Sequence, residues 1–224
     1  MSQVFLQSPW IHPPEPAPLR DIILRCGKRM AIKSGTDLPH GEGSTYVGYL
    51  EKGLGCFSFL DAEGQTHIFA LIIPRRTFGD LDALTAYHLN LKGKVIRPSV
   101  VVLVERERFV EEISRSVELM KLYAKNAITK EECHMEGMLA NFTRSLPARV
   151  QAAMRSLIRA YYPIKESGWN PLPVKLSITE IGQIVGANRS TVSVLISDWI
   201  KKDLVRRDGR RLVVHGSLLS RAFD

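Results

Sequence analysis

The period of the apolar positions changes twice along this chain. From Ile22 to about Val104, short β-prone runs are separated by glycines: Ile22–Cys26, Tyr46–Leu50, Gly55–Leu60, Thr66–Ile73 and Ser99–Val104. Runs of this length, rich in β-branched and aromatic residues and bounded by turn signals, predict strands. So many of them predict a small sandwich or barrel. Asp61-Ala62-Glu63-Gly64 lies between two runs as a hairpin turn. Ahead of them, Pro9, Pro13, Pro14, Pro16 and Pro18 predict an irregular arm over residues 1–20.

After Glu105 the pattern becomes helical. No proline occurs from there to Asn141, and Gly137 is the only glycine. Val117, Met120, Ala124, Ile128, Met135, Met138 and Phe142 recur at intervals of three, four or seven, with Glu131 as the one polar member of the stripe. This spacing predicts a helix of about 25 residues with a narrow apolar seam. Coiled-coil pairing with a second copy would cover the seam; so would packing on the β domain. Ser145 followed by Pro147 predicts a new helix, since proline is tolerated in a first turn. Val150, Met154, Leu157, Ile158 and Tyr161 share its inner face, and Tyr162–Pro173 reads as a loop.

Residues 177–200, SITEIGQIVGANRSTVSVLISDWI, carry the most specific pattern. Ser177 and Glu180 have capping-box spacing and start a helix whose apolar face is Ile181, Ile184 and Val185. Gly186 can take the positive φ that turns the chain sharply. Asn188 is placed to cap a second helix, in which Val192, Leu195, Ile196 and Trp199 occupy i, i+3, i+4 and i+7 and face inward. Arg189, Ser190, Ser193, Val194 and Ser197 are left on the outer face. This is a helix-turn-helix pattern, whose leading arginine can reach the O6 and N7 of a guanine in the major groove. Residues 204–214 then read as a β-hairpin with Asp208-Gly209 as its turn and Arg206, Arg207, Arg210 and Arg211 around it. A basic hairpin beside a helix-turn-helix is a wing, suited to phosphates.

Charge agrees with that placement. The 224-residue chain has a formal net charge of +8. Residues 1–143 hold 17 Lys/Arg and 17 Asp/Glu, whereas residues 144–224 hold 14 against 6. The whole excess sits with the helix-turn-helix, which points to a polyanionic partner. Cys26, Cys56 and Cys133 are distant and odd in number, so neither a disulfide framework nor a zinc site is expected. His12, His40, His67, His88, His134 and His215 show no ligand spacing, and no metal is assigned. There is no P-loop, nucleophile elbow or pair of carboxylates on a defined scaffold. Gly41-x-Gly43 and Gly53-x-Gly55 are too short for dinucleotide fingerprints, so no enzyme activity is expected. The longest apolar runs, such as Ile68–Ile73, fall far short of a bilayer span, and the N-terminus does not read as a secretory signal. These features predict a soluble cytoplasmic protein with no membrane partner.

On ITEIGQIVGANRSTVSVLI, the wing and the order of elements, the chain resembles the cAMP receptor protein/FNR (CRP/FNR) family of bacterial transcription regulators. The resemblance implies an α+β fold. Its parts would be an arm (1–20), an effector-sensing, cyclic-nucleotide-binding-like β-roll or jelly roll (21–105), a dimerisation helix (106–142) and a winged helix-turn-helix DNA-binding domain (146–224). By position, Arg189 matches the family's guanine-contacting arginine. Ser190 replaces a frequent glutamate, Val194 replaces a frequent second arginine, and Ser193 matches a position that reads bases in some branches. Ser177, Thr179, Asn188, Thr191, Gly209 and Arg210 match positions that touch the DNA backbone.

In the β-roll, Gly53 and Gly64 match turn glycines, and Phe78–Leu81 (FGDL) resembles the start of the phosphate cassette. Its Arg-Ser pair is replaced by Tyr87-His88-Leu89-Asn90-Leu91, and Glu132-Cys133 stand where an adenine-contacting Thr-Ser pair occurs. Arginine is the usual partner of a phosphate, so cAMP binding is not expected. The resemblance leaves an effector pocket of Gly79, Asp80, Leu81, Leu89, Asn90, Glu132 and Cys133 for an unknown small molecule, with no certain cofactor. Double-stranded DNA with a palindromic operator, a second copy of the chain and RNA polymerase are the implied partners, and activation the implied mode. Two alternatives stand beside this: a redox response through Cys133, and a β-roll module acting on a protein partner.

Overall fold

A computed structural model of the chain describes residues 8–39, 44–85 and 91–220. Leu89 and Asn90 of the expected pocket lie outside them. The chain divides into two compact units, one formed by His12–Gln65 with Phe69–Glu132, the other by Met1–Ile11, Thr66–Ile68 and Cys133–Asp224.

The first unit is built on an antiparallel sheet. Its strands are β1 (Lys28–Ile32), β2 (Tyr46–Leu60), β3 (Thr66–Ile72), β4 (Arg76–Phe78) and β5 (Lys92–Glu105). They lie in the order β1-β5-β2-β3, with β4 also paired to β2. Two of the separate runs expected from sequence are therefore one strand. β2 is continuous from Tyr46 to Leu60 because its register against β5 shifts between Leu50 and Gly55, where Gly53 adopts φ 104°. The Asp61–Gly64 turn forms as expected: the Asp61 carboxylate accepts from the backbone N–H of Glu63 and Gln65, and Gly64 has φ 76°.

Both faces of the central β2–β5 pair are buried. Val47, Tyr49, Val102 and Val104 face one core, with Leu19, Ile23, Phe109, Ile113 and Tyr123. Leu50, Val95 and Val101 face the other, with Ile32, Phe57, Ile72 and Phe78. A strand covered on both sides reads as a continuous apolar run rather than an alternating one, which explains Val100–Val104.

Three expectations need correction here. Ile22–Cys26 is not a strand but the end of helix α1 (Ala17–Cys26). Pro18 sits in its first turn, and Leu19, Ile22 and Ile23, at helical spacing, are its buried residues. The span 106–142, expected as one helical region, holds two helices, α2 (Arg106–Ile113) and α3 (Val117–Thr143), and the 27 residues of α3 answer to the expected helix of about 25. The Ser116 hydroxyl accepts a 3.0 Å hydrogen bond from the Leu119 N–H, restarting the helix after a short break. Met120 packs against the β-sheet core, so it leaves the apolar seam, and exposed Lys121 takes its place in the spacing.

The second unit contains α4 (Leu146–Arg159), β6 (Trp169–Pro171), α5 (Ile178–Val185), α6 (Arg189–Lys201), β7 (Val205–Asp208), β8 (Arg211–His215) and α7 (Gly216–Ser220). Its buried residues include Val150, Met154, Leu157, Ile181, Ile184, Val192, Ile196, Trp199, Val205, Leu212 and Val214. The segment read as a loop over 162–173 holds a strand: β6 pairs with β8, completing a β6-β8-β7 sheet. Three residues ending in a proline are too few to show a period, which hid this edge strand in the sequence.

Candidate nucleic-acid interface

Local sequence rules fix the helix pair α5–α6. The Glu180 N–H donates to Ser177 Oγ, and the Ser177 N–H donates to Glu180 Oε2 at 2.7 Å, so the capping box is complete. At the other end Gly186 has φ 60° and φ/ψ in the left-handed region, where a side chain would be strained. Gly182 matters for a different reason: a Cβ there would lie 2.5 Å from the Ala187 carbonyl oxygen. The chain can return tightly over α5 only with glycine at this position, a requirement the sequence reading missed because Gly182 lies inside the helix.

Side chains from two other helices close the end of α5. Arg149 of α4 donates a 2.7 Å hydrogen bond to the Val185 carbonyl, and Asn141 of α3 donates to that of Ile184 at 3.1 Å. Terminal carbonyls of a helix lack partners of their own and carry the negative end of its dipole, so a guanidinium there is favourable. Burial pushes the Arg149 pKa down from its ordinary value. Asn188 occupies the N-cap position of α6, but its side chain makes no capping hydrogen bond, contrary to expectation.

α6 presents two distinct faces. Val192, Ile196 and Trp199 are buried, and Leu195 is half-buried. Arg189, Ser190, Thr191, Val194 and Ser197 are exposed, and Ser193 is half-buried. Ser177 and Asn188, which begin the two helices, are exposed, and so is Thr179. The outward row is short apart from Arg189 at its head, so little side-chain bulk separates the helix backbone from whatever it meets.

The hairpin turn falls one residue later than expected. Asp208 pairs with Arg211, leaving Gly209-Arg210 as the two-residue loop, with Gly209 at φ 55°. A positive φ at the first loop residue alone is the type II′ pattern, which puts glycine first instead of second. The four arginines also differ in freedom. Arg206 donates twice to the Asp203 carboxylate at 3.0 Å, and its guanidinium carbon lies 3.9 Å from the centre of the Trp169 ring. It holds the wing together, although it is exposed, as Arg207, Arg210 and Arg211 are.

The effector-pocket residues have a different setting. Gly79 has φ 73°, and Leu81 and Glu132 are half-buried. Asp80 is buried and accepts from the Lys130 ammonium, while its backbone carbonyl accepts from the Tyr123 hydroxyl at 2.6 Å. Lys130 also donates to Glu15 Oε2 at 2.8 Å and to Thr77 Oγ1, and Asn126 donates to Glu15 Oε1. Burial works to lower the Lys130 pKa, but the charges and hydrogen bonds of Asp80 and Glu15 outweigh it and raise the value. This network was not foreseen, since Lys130 lies opposite the apolar stripe, where a charge reads as solvated. Cys133 is 1% exposed, Cys56 is buried and Cys26 is half-buried, and none of the three is in a disulfide. Among the described residues, no group of three or more His, Cys, Asp or Glu could hold a metal ion. Nor is any described helix long and apolar enough to cross a membrane.

No protein-family model matches the chain, and no curated protein matches it. Solved structures do. FixK2 from Bradyrhizobium japonicum is 18% identical, covering 88% of this chain and 95% of that chain with a TM-score of 0.75. The c-di-GMP responsive global regulator CLP of Xanthomonas campestris is 11% identical, covering 90% and 100% with a TM-score of 0.71. A CRP-family transcriptional regulator from Thermus thermophilus is 19% identical, covering 86% and 95% with a TM-score of 0.68. The chain has the fold of these proteins, a β-roll, a long helix and a winged helix-turn-helix, over nearly its whole length.

Proposed function

We propose that the chain is a CRP/FNR-type transcription regulator that binds duplex DNA through α6 and its wing and performs no catalysis. One observation carries this reading: the segment 144–224, which holds the chain's entire excess of positive charge, also presents Arg189 and a row of small side chains on a helix packed through its opposite face. A row of that kind can approach base edges, while exposed arginines and exposed helix starts suit phosphates. Arg189, Ser190, Ser193 and Val194 would read bases. Ser177, Thr179, Asn188, Thr191, Gly209 and Arg210 would meet the backbone.

The reading includes a homodimer. Ala124, Ile128, Glu131, Met135, Met138 and Phe142 lie on the exposed side of α3 at alternating intervals of four and three, with Ile128 62% and Phe142 82% exposed. Large apolar side chains left out at this spacing are what a coiled-coil partner covers. Two copies would place their α6 helices in successive major grooves about 34 Å apart, on a palindromic operator.

A small-molecule effector other than cAMP would bias the dimer between two arrangements. The family resemblance places that pocket near Gly79–Leu81, Leu89, Asn90, Glu132 and Cys133. Activation through RNA polymerase, in the cytoplasm, completes the proposal. The redox alternative has less support, because thiol reactivity needs an accessible thiolate and Cys133 is 1% exposed.

The test is selection of binding sites from random duplexes. Wild-type protein should enrich an inverted repeat containing a guanine in each half, and Arg189→Ala should lose preference at that guanine. Failure to enrich any sequence would overturn the reading.

A further inference from the structure

Val194 is the one residue of the outward row whose exposure folding does not explain. It stands in the middle of α6 with 71% of its surface exposed, while Val192 and Ile196 beside it are 0% and 1% exposed. A β-branched residue is a mediocre helix former, and this one is left outside the buried core of the unit. Its neighbours one turn away on either side are Ser190, Thr191, Ser197 and Asp198, all short. The two methyls therefore stand at the centre of a shallow polar ring, open to close approach.

In the major groove, one base edge matches such a group. Thymine alone among the four bases presents a methyl there, and the other edges present donors or acceptors that a valine would desolvate without replacement. Val194 lies five positions after Arg189, about 7.5 Å along the helix axis, or roughly two base-pair steps. On the proposed DNA-binding reading, on which this inference rests, we infer that Val194 contacts the 5-methyl of a thymine about two base pairs from the guanine met by Arg189. The half-site would then hold thymine at a position where a polar side chain at 194 would select another base.

The test uses the selected operator and full-length protein. Each thymine is replaced in turn, symmetrically in both half-sites, by uracil, which keeps every hydrogen-bonding group and lacks only the methyl. At one position wild-type binding should weaken by roughly fourfold per half-site, about fifteenfold for the pair. Val194→Ala, an exposed change that favours helix, should bind thymine and uracil operators equally while keeping its preference for the guanine. Wild-type affinity that is indifferent to uracil at every position, or a Val194→Ala protein that retains the full difference, overturns the inference and leaves the DNA-binding reading intact. Selection that enriches nothing overturns both.

Discussion

Lys130 and Glu15 stand 115 positions apart in sequence and 2.8 Å apart in space, both buried. With Asp80 as the second carboxylate, this pair pins the segment before α1 to the middle of α3. Truncating one member of a buried ionic cluster leaves its partners charged and unmatched, which costs about 3–5 kcal/mol. Lys130→Met should therefore lower stability by about that amount in urea unfolding. Adding Glu15→Gln and Asp80→Asn to the same chain should recover most of the loss, since the neutral groups need no counter-charge. A triple variant as unstable as the single one would show that the damage is steric.

The same cluster sets an alkaline limit. Attraction from Asp80 and Glu15 raises the Lys130 pKa above its ordinary 10.5 against the opposing effect of burial. Burial first, and then the charge of Asp80, raises Tyr123 above its ordinary 10.0. Both groups thus hold protons in the folded chain that the unfolded chain releases. Their stabilisation is complete below about pH 10 and is lost as pH rises towards the folded-state values. Tyr123→Phe should cost about 1 kcal/mol at neutral pH through the lost hydrogen bond to the Asp80 carbonyl. It should also fall less steeply above pH 10. An unchanged alkaline slope would show that Tyr123 does not contribute.

Helix α3 also shows where sequence reading succeeds and where it inverts. Its polar residues Asn126, Lys130 and His134 are buried, while Ile128, Met135, Met138 and Phe142 are exposed. An apolar stripe normally marks the inner face of a helix, and here it marks the outer one. The spacing was legible, but which side faces a core depends on elements far away in sequence, such as Glu15. The α5–α6 pair was legible because its signals are local: capping box, left-handed glycine and an i, i+3, i+4, i+7 core. Even there, the hairpin turn moved by one residue, because Asp-Gly and Gly-Arg both satisfy two-residue loop rules and strand pairing decided between them.

The outward stripe gives a test of assembly. Ile128→Glu places a charge at the centre of the seam without touching either core of the protomer, so folding should be retained. Burying two isoleucines in a dimer contributes roughly 3–6 kcal/mol, and the substitution should weaken self-association by at least about a hundredfold. Sedimentation would register a shift from dimer to monomer at micromolar concentration. A protein that sediments unchanged would place the partner surface elsewhere.

Among the wing arginines, salt dependence should separate structural roles from phosphate contacts. Each phosphate neutralised by a cation adds about 0.9 to the slope of log affinity against log salt. Arg210→Ala, at the tip of the hairpin, should remove one contact per protomer and flatten the slope by about two, with little change in which operator is preferred. Arg206 has exposed neighbours, but its guanidinium is committed to Asp203 and to the Trp169 ring. Arg206→Ala should therefore leave the slope nearly unchanged while lowering stability by about 1 kcal/mol through the lost pair and stacking contact. If Arg206→Ala flattened the slope as much as Arg210→Ala, its charge would be reaching phosphate despite Asp203, and the division of labour within the wing would be wrong.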